Sequence, residues 1–270
     1  MRLYDAHNHL QDDRFGTESD SIMAAAAGIG VVKMAVNGAR EADWPAVLAL
    51  ARKHPGVLPS FGYHPWHLKE RTADWRRNLV QCLDAIPSAV GEIGLDRWKE
   101  GLELPSQEEA FVWQLRLSAE RELPASIHCL QAWGLLFDLL RKESKPRCGF
   151  LLHSYGGPHE MIAPLARLGA YFSFPGCFAH ERKARQRETF RHVPPDRLLI
   201  ETDAPDQPLP PALVTHPLIN AAGQSLNHPA NLGAVYQFVA EFFGEPLDSL
   251  AARVEENFLR LFGAVLKPSP

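Results

Sequence analysis

The chain has 270 residues, 46% of them hydrophobic and 22% charged, with a formal net charge of -4. That balance fits an enzyme-sized globular protein and excludes a general positive coat for wrapping polyanions, so any nucleic-acid contact must come from a local patch. The four cysteines, Cys82, Cys129, Cys148 and Cys177, show no CxxC spacing, which fits reduced thiols better than a disulfide framework.

In chain order, short apolar or β-branched runs alternate with longer helical patterns. Strands are expected over Arg2 to His7, Ile29 to Val36, Val57 to Gly62, Ala89 to Leu95, Ala125 to Cys129, Gly149 to His153, Ala170 to Phe174 and Leu198 to Asp203. Helices are expected between them, among others over Ala42 to Lys53, Trp75 to Ala85, Ser106 to Glu122 and Ala132 to Lys142. Repeated βα units imply a parallel sheet, and eight of them in roughly 250 residues match the size of a TIM (β/α)8 barrel. The expected fold class is therefore α/β, one barrel domain over residues 1–270, with a doubly wound sheet as the runner-up. A proline-rich loop from Pro205 to Pro217 follows the last expected strand, where long loops commonly shape a site. No apolar run approaches the roughly 20 residues needed to cross a bilayer. The first strand starts too early to leave room for a signal peptide, so a cytoplasmic protein without membrane association is expected.

The residues able to hold a metal sit at the ends of these strands. His7 and His9 are two apart on an extended segment, so both imidazoles leave the same face. Glu92 lies in the fourth strand, His128 and His153 close the fifth and sixth, and Asp203 closes the eighth; His64 follows the third. In a barrel those ends form the catalytic face, and the six ligand-type residues would meet around one cavity. Glu92 carries the most weight, because a carboxylate inside the apolar run Ala89 to Leu95 is costly to bury unless paired or metal-bound. Four imidazoles and two carboxylates suit a pair of divalent ions, drawn from Zn, Mn, Mg, Fe, Co or Ni, with Glu92 the natural bridge. Such a pair implies hydrolysis, most plausibly of a phosphoester or another ester. Asp203 is the expected general base, and Glu201, two residues earlier, is expected to orient a ligand. His64 and Arg97 are expected to bind substrate, Trp98 offers a stacking ring, and Arg182, Lys183, Arg185, Arg187 and Arg191 form a candidate phosphate-binding run. His54, His159, His180 and His192 are read as surface residues, whereas His67, His216 and His228 stay unassigned.

These residues resemble a TatD-type metal-dependent hydrolase of the amidohydrolase-like TIM-barrel superfamily, over nearly the whole chain. The matching segments are Asp5-Ala6-His7-Asn8-His9-Leu10, Gly62-Tyr63-His64-Pro65, Gly91-Glu92-Ile93-Gly94-Leu95-Asp96, Ile127-His128, His153-Ser154-Tyr155-Gly156-Gly157 and Glu201-Thr202-Asp203-Ala204-Pro205, with Asn257-Phe258 and Leu261-Phe262-Gly263 near the end. The resemblance implies a binuclear centre, with His7, His9, Glu92 and Asp203 around one metal and Glu92, His128 and His153 around the other. It also implies deoxyribonuclease-like or related phosphoesterase activity, on DNA or another phosphoester, by a monomer or small homo-oligomer.

Three departures bear on substrate. Leu130 stands where the family carries an arginine two residues after the histidine, and leucine offers no donor to a phosphate. His228 replaces the acid of the family's N-E-P, and Asp206-Gln207 replaces a usual aromatic and threonine. Two rival readings are therefore kept. One is an amidohydrolase-type enzyme for a small amide, lactone or ester, although many of these use a carboxylated lysine where Glu92 stands. The other is a non-catalytic ligand-binding barrel.

Overall fold

A computed structural model describes residues 1–266; residues 267–270, the end of the expected domain span, lie outside the described residues. Eight strands form one parallel sheet in sequential order: β1 Leu3–Asn8, β2 Val31–Asn37, β3 Val57–Phe61, β4 Ala89–Asp96, β5 Ala125–Leu130, β6 Phe150–Leu152, β7 Ala170–Pro175 and β8 Leu198–Glu201. The first and last strands meet through backbone bonds just past their ends, Asp203 N to His7 O at 2.9 Å and His9 N to Ala204 O at 2.7 Å. The result is a nearly closed TIM (β/α)8 barrel, as the repeated βα pattern implied. Around it run α1 Ser19–Gly28, α2 Trp44–Lys53, α3 Trp75–Ala85, α4 Leu104–Arg121, α5 Trp133–Lys142, α6 Ile162–Arg167, α7 Ala184–Thr189, α8 Leu232–Phe243 and α9 Leu247–Leu266. No helix among the described residues is long and apolar enough to cross a membrane.

Both faces of the sheet are covered, so β3, β4, β7 and β8 are buried along their whole length, as parallel strands generally are. Phe150, Phe172 and Phe174 are fully buried; side chains of this kind each contribute about 1.5–3 kcal/mol when taken from water. Several boundaries move from the sequence expectation for local reasons. Helix α2 starts at Trp44 rather than Ala42 because Pro45 suits its first turn and the Asp43 carboxylate accepts the N–H groups of Ala39 and Arg40. Strand β8 stops at Glu201 rather than Asp203. The Thr202 N–H and hydroxyl turn to the Asp5 carboxylate, at 3.0 and 2.6 Å, and Asp203 adopts φ 51°.

Two glutamines of α4 fix the barrel's upper rim. Gln107 accepts from Asp96 N at 2.7 Å and donates to Asp96 O at 2.9 Å. Gln114 accepts from Tyr63 N at 2.7 Å and donates to Tyr63 O at 3.2 Å. Seven residues apart on a helix, they share a face, and they hold the ends of β4 and β3 beside Glu92 and His64.

Candidate metal centre

The six ligand-type residues converge at the C-terminal ends of the strands, and all of them except His9 are buried. Glu92 stands at the middle with its two oxygens facing different partners. Oε2 lies 3.1 Å from His9 Nε2 and 3.3 Å from His7 Nε2. Oε1 lies 2.8 Å from His153 Nε2 and 3.3 Å from both His128 Nδ1 and His64 Nε2. Asp203 Oδ1 completes the first group at 3.6 Å from both His7 and His9. Three overlapping clusters of metal-ligand atoms result: His7, His9 and Glu92; His7, His153 and Asp203; and His64, Glu92 and His128.

Close backbone approach lets Glu92 reach this position. A Cβ on Gly91 would fall 2.8 Å from Ser60 Oγ and Ser126 Cβ, and Gly94, at φ 155°, passes so near the His128 carbonyl that no side chain fits. Below the histidines lies a belt of small polar residues from the strands. His7 Nδ1 meets Ser126 Oγ at 2.8 Å and His9 Nδ1 meets the Asn37 carbonyl at 2.8 Å, so the ring nitrogen away from Glu92 is fixed in each case. His128 Nε2 meets Asp96 Oδ2 at 2.9 Å.

His64 differs from the others. Its Nδ1 accepts the Trp66 N–H at 3.2 Å, so the neutral ring, as its hydrogen bonding sets it, carries its proton on Nε2 and donates to Glu92 Oε1. That makes it a donor at the rim rather than a free lone pair, in line with the substrate role expected of it. Glu201 is fully buried, accepting from Ser154 Oγ at 2.5 Å and from Ser173 Oγ. Its Oε1 stands 3.7 Å from His153 Nδ1, near the ligand it was expected to orient yet beyond hydrogen-bond reach.

Electrostatics separate the carboxylates. Burial alone would push Glu92 up, but the imidazoles of His64, His153 and His7 outweigh it and hold the carboxyl well below the usual range. Asp203 goes the other way, to about 7, raised by burial with Glu201 and Glu92 adding and His153 and His9 opposing. His7 is pushed down to about 4 by burial and His153, whereas His9, despite burial, is raised to about 9 by Glu92 and Asp203.

The donor set fits divalent metal. His7 Nε2 faces His9 Nε2 at 3.3 Å and His153 Nε2 faces His128 Nδ1 at 3.4 Å, so acceptor-capable nitrogens point at one another across a buried carboxylate. Divalent cations held among these nitrogens and the carboxylates would satisfy them.

Above the centre opens a cavity of about 440 Å³ lined by Trp66, Trp98, Arg14, His67, Leu130 and Gln207 together with the cluster. Arg97, expected there, is exposed and stands outside that lining; its neighbour Trp98 does line the mouth. The cation at the rim is Arg14, which forks onto Asp12 and Asp206. His67 lies at the rim paired with Glu70 at 3.0 Å, and His228 caps a turn by accepting from Ala230 N at 2.9 Å. His54 pairs with Asp20 at 3.0 Å, and His159 stacks on His192 at 4.6 Å.

Asp96 and Trp66 have no role assigned from the sequence, and Gln207 stands there only as a departure in the loop after Asp203. Asp96 Oδ2 also accepts the Trp66 indole N–H at 2.7 Å, and Gln207 donates to Asp203 Oδ2 and to Ser154 Oγ. Asp96 is visible as the last residue of Gly91-Glu92-Ile93-Gly94-Leu95-Asp96, and Gln207 as a departure from the usual residues after Asp203, with nothing local to show that its amide reaches Asp203.

The family model for the TatD related DNases matches residues 4–263. The chain belongs to that family. It is thus a divalent-metal-dependent hydrolase with a metal-binding barrel. Among curated relatives of this TatD-family enzyme, the 3'-5' ssDNA/RNA exonuclease TatD of Citrobacter rodentium is 31% identical over 98% of this chain and 99% of that protein. The metal-dependent hydrolase YjjV of Escherichia coli is 28% identical over 97% and 98%. The crystal structure of YjjV superposes with a TM-score of 0.87, covering 97% of this chain and 98% of that one. A TatD family hydrolase from Entamoeba histolytica, 18% identical, shares the fold with a TM-score of 0.85.

Proposed function

We propose that this single-domain enzyme is a nuclease that removes nucleotides from an end of single-stranded nucleic acid, as the name of its Citrobacter relative states for that protein. The observation that carries the reading is the division of Glu92 between two nitrogen groups, Oε2 toward His7 and His9 and Oε1 toward His128 and His153. His7, His9, Glu92 and Asp203 would hold one divalent ion, and Glu92, His128 and His153 a second, with Zn, Mn, Mg, Fe, Co and Ni all compatible with the donors. When bound, such ions supply Lewis acidity toward a phosphoryl oxygen and acidify water near neutral pH. Asp203, whose Oδ1 faces His7 and His9 at the strand ends, would be the base that takes the proton of the attacking water. Its other oxygen is held by Gln207. His64 lines the mouth, and once Glu92 Oε1 is taken up in holding an ion its one N–H, on Nε2, would be released to donate to the substrate phosphate or to the departing oxygen, while Trp66 and Trp98 offer ring faces to bases.

The test is a labelled single-stranded oligonucleotide and bis(p-nitrophenyl) phosphate, each assayed with Mg, Mn and Zn. Turnover of both, abolished in Glu92→Gln and Asp203→Asn with the fold intact, is expected. Activity on neither, with rapid turnover of an amide or lactone panel, overturns the reading.

A further inference from the structure

A second cavity, of about 480 Å³, lies beside the metal centre and shares Leu130 with its mouth. It opens between α5, the loop after β6 and α7, and its lining includes Trp133, Gln131, His159, Glu160, Arg185 and Gln186. Trp133 is half-buried and held in place: it meets Tyr155 edge-on at 4.6 Å, and a Cβ on Gly157 would fall 2.9 Å from its ring. Of the five basic residues of the 182–191 run, Arg185 alone lines this cavity. Arg187 is turned inward onto the carbonyls of Phe178 and Ala179. Arg191 pairs with Glu188 and lies 4.2 Å over the Phe242 ring, and Lys183 lies over Phe178. Arg185 is exposed and, among the described residues, has no carboxylate within ion-pair reach. The cavity's acid, Glu160, lies 3.5 Å from His159.

We propose that this cavity is a subsite for the nucleotide next to the one being cleaved, its base on Trp133 and its phosphate at Arg185; the inference rests on the nuclease reading above. A fixed aromatic ring, a free guanidinium and the amides of Gln131 and Gln186 match the three parts of a nucleotide: a π-face, an anion and polar base edges. Continuity through Leu130 matters as much. A strand whose scissile phosphate lies at Glu92 must leave the mouth on some side, and Leu130, which cannot bind phosphate, forms an apolar sill between the metal centre and the next cation. The phosphate contact that Leu130 lacks is thus moved outward by one cavity.

The test compares kcat/KM for a labelled single-stranded oligonucleotide with that for bis(p-nitrophenyl) phosphate, which is too small to fill both cavities. In Arg185→Ala and Trp133→Leu the ratio of oligonucleotide to small diester should fall about tenfold, mostly through KM. In Arg185→Ala the salt slope of log KM should also shrink by about 0.7, the value of one single-strand phosphate contact. Arg147→Ala, an exposed arginine preceding β6 at the other end of the barrel, should change neither quantity. If Trp133→Leu fails to fold, Arg185→Ala on its exposed helix still decides. A wild-type enzyme that cleaves oligonucleotide, with an unchanged ratio and slope in Arg185→Ala, overturns the subsite alone. A wild-type enzyme that cleaves no oligonucleotide overturns the subsite and the nuclease reading together.

Discussion

His128 turns Nε2 toward Asp96 Oδ2, 2.9 Å away, which leaves Nδ1 as the nitrogen facing Glu92. The same Asp96 oxygen accepts the Trp66 indole, and Oδ1 accepts the N–H groups of Trp98 and Lys99. One carboxylate therefore sets the ring orientation of a proposed ligand and fixes the Trp66 ring and the Trp98 backbone at the rim. Burial alone would raise its carboxyl, but the hydrogen bonds from His128, the Lys99 N–H and the Trp66 indole, with the charge of His128 adding, hold it far below the usual range.

Asp96→Asn keeps the size but removes the charge that makes His128 a better donor. Metal affinity should weaken by about 10- to 100-fold, the usual cost of losing such an outer partner. Calorimetric titration of the metal-free protein with Mn or Zn checks this, with thermal unfolding as the control for folding. An unchanged affinity shows that Asp96 serves only the rim.

Gln207 reaches the centre from the loop after β8, donating to Asp203 Oδ2 and Ser154 Oγ while its carbonyl accepts from Cys177 Sγ at 2.7 Å. Its backbone is left-handed, at φ 51°, a conformation that asparagine tolerates. Gln207→Asn should fit the backbone yet fall short of Asp203, and turnover should drop about 10- to 100-fold as the base loses its orientation. The signature is a loss in kcat with little change in KM; the reverse split would place Gln207 in substrate binding instead.

His228 gives a pH-dependent contribution to stability. Burial, with His216 adding, lowers it from its ordinary 6.5 to about 4, and its Nδ1 must stay unprotonated to accept from Ala230 N. The unfolded chain takes up this proton near 6.5 and the folded chain only near 4. Stability is therefore full above 6.5 and falls as pH drops through that window, by at most about 1.4 kcal/mol per pH unit. His228→Asn retains an acceptor for the turn and should flatten the decline. Urea midpoints of the metal-free proteins from pH 7 to 4.5 measure it; parallel curves for both proteins rule the effect out.

The barrel and the convergence of these side chains were legible because each signal was local: a histidine or an acid within or just after a strand run, repeated around the chain. What escaped depends on contacts between distant segments. Strand β8 stops at Glu201 because Thr202 binds Asp5, almost two hundred residues earlier in the chain. Nothing in the spacing of Arg97 and Trp98 tells which of them faces the mouth, nor that Arg14, at the opposite end of the chain order, brings its charge there. The basic run 182–191 shows the same limit, since composition cannot distinguish Arg187, folded inward, from Arg185, open to a cavity.

In the proposed centre Glu92 joins two ions, one at His7, His9 and Asp203 and the other at His128 and His153. Anomalous diffraction from crystals soaked in manganese tests it directly. Two peaks about 3.5–4 Å apart are expected, each within bonding distance of a different Glu92 oxygen, with loss of at least one in Glu92→Gln. A single peak, or a pair that does not touch Glu92, contradicts it.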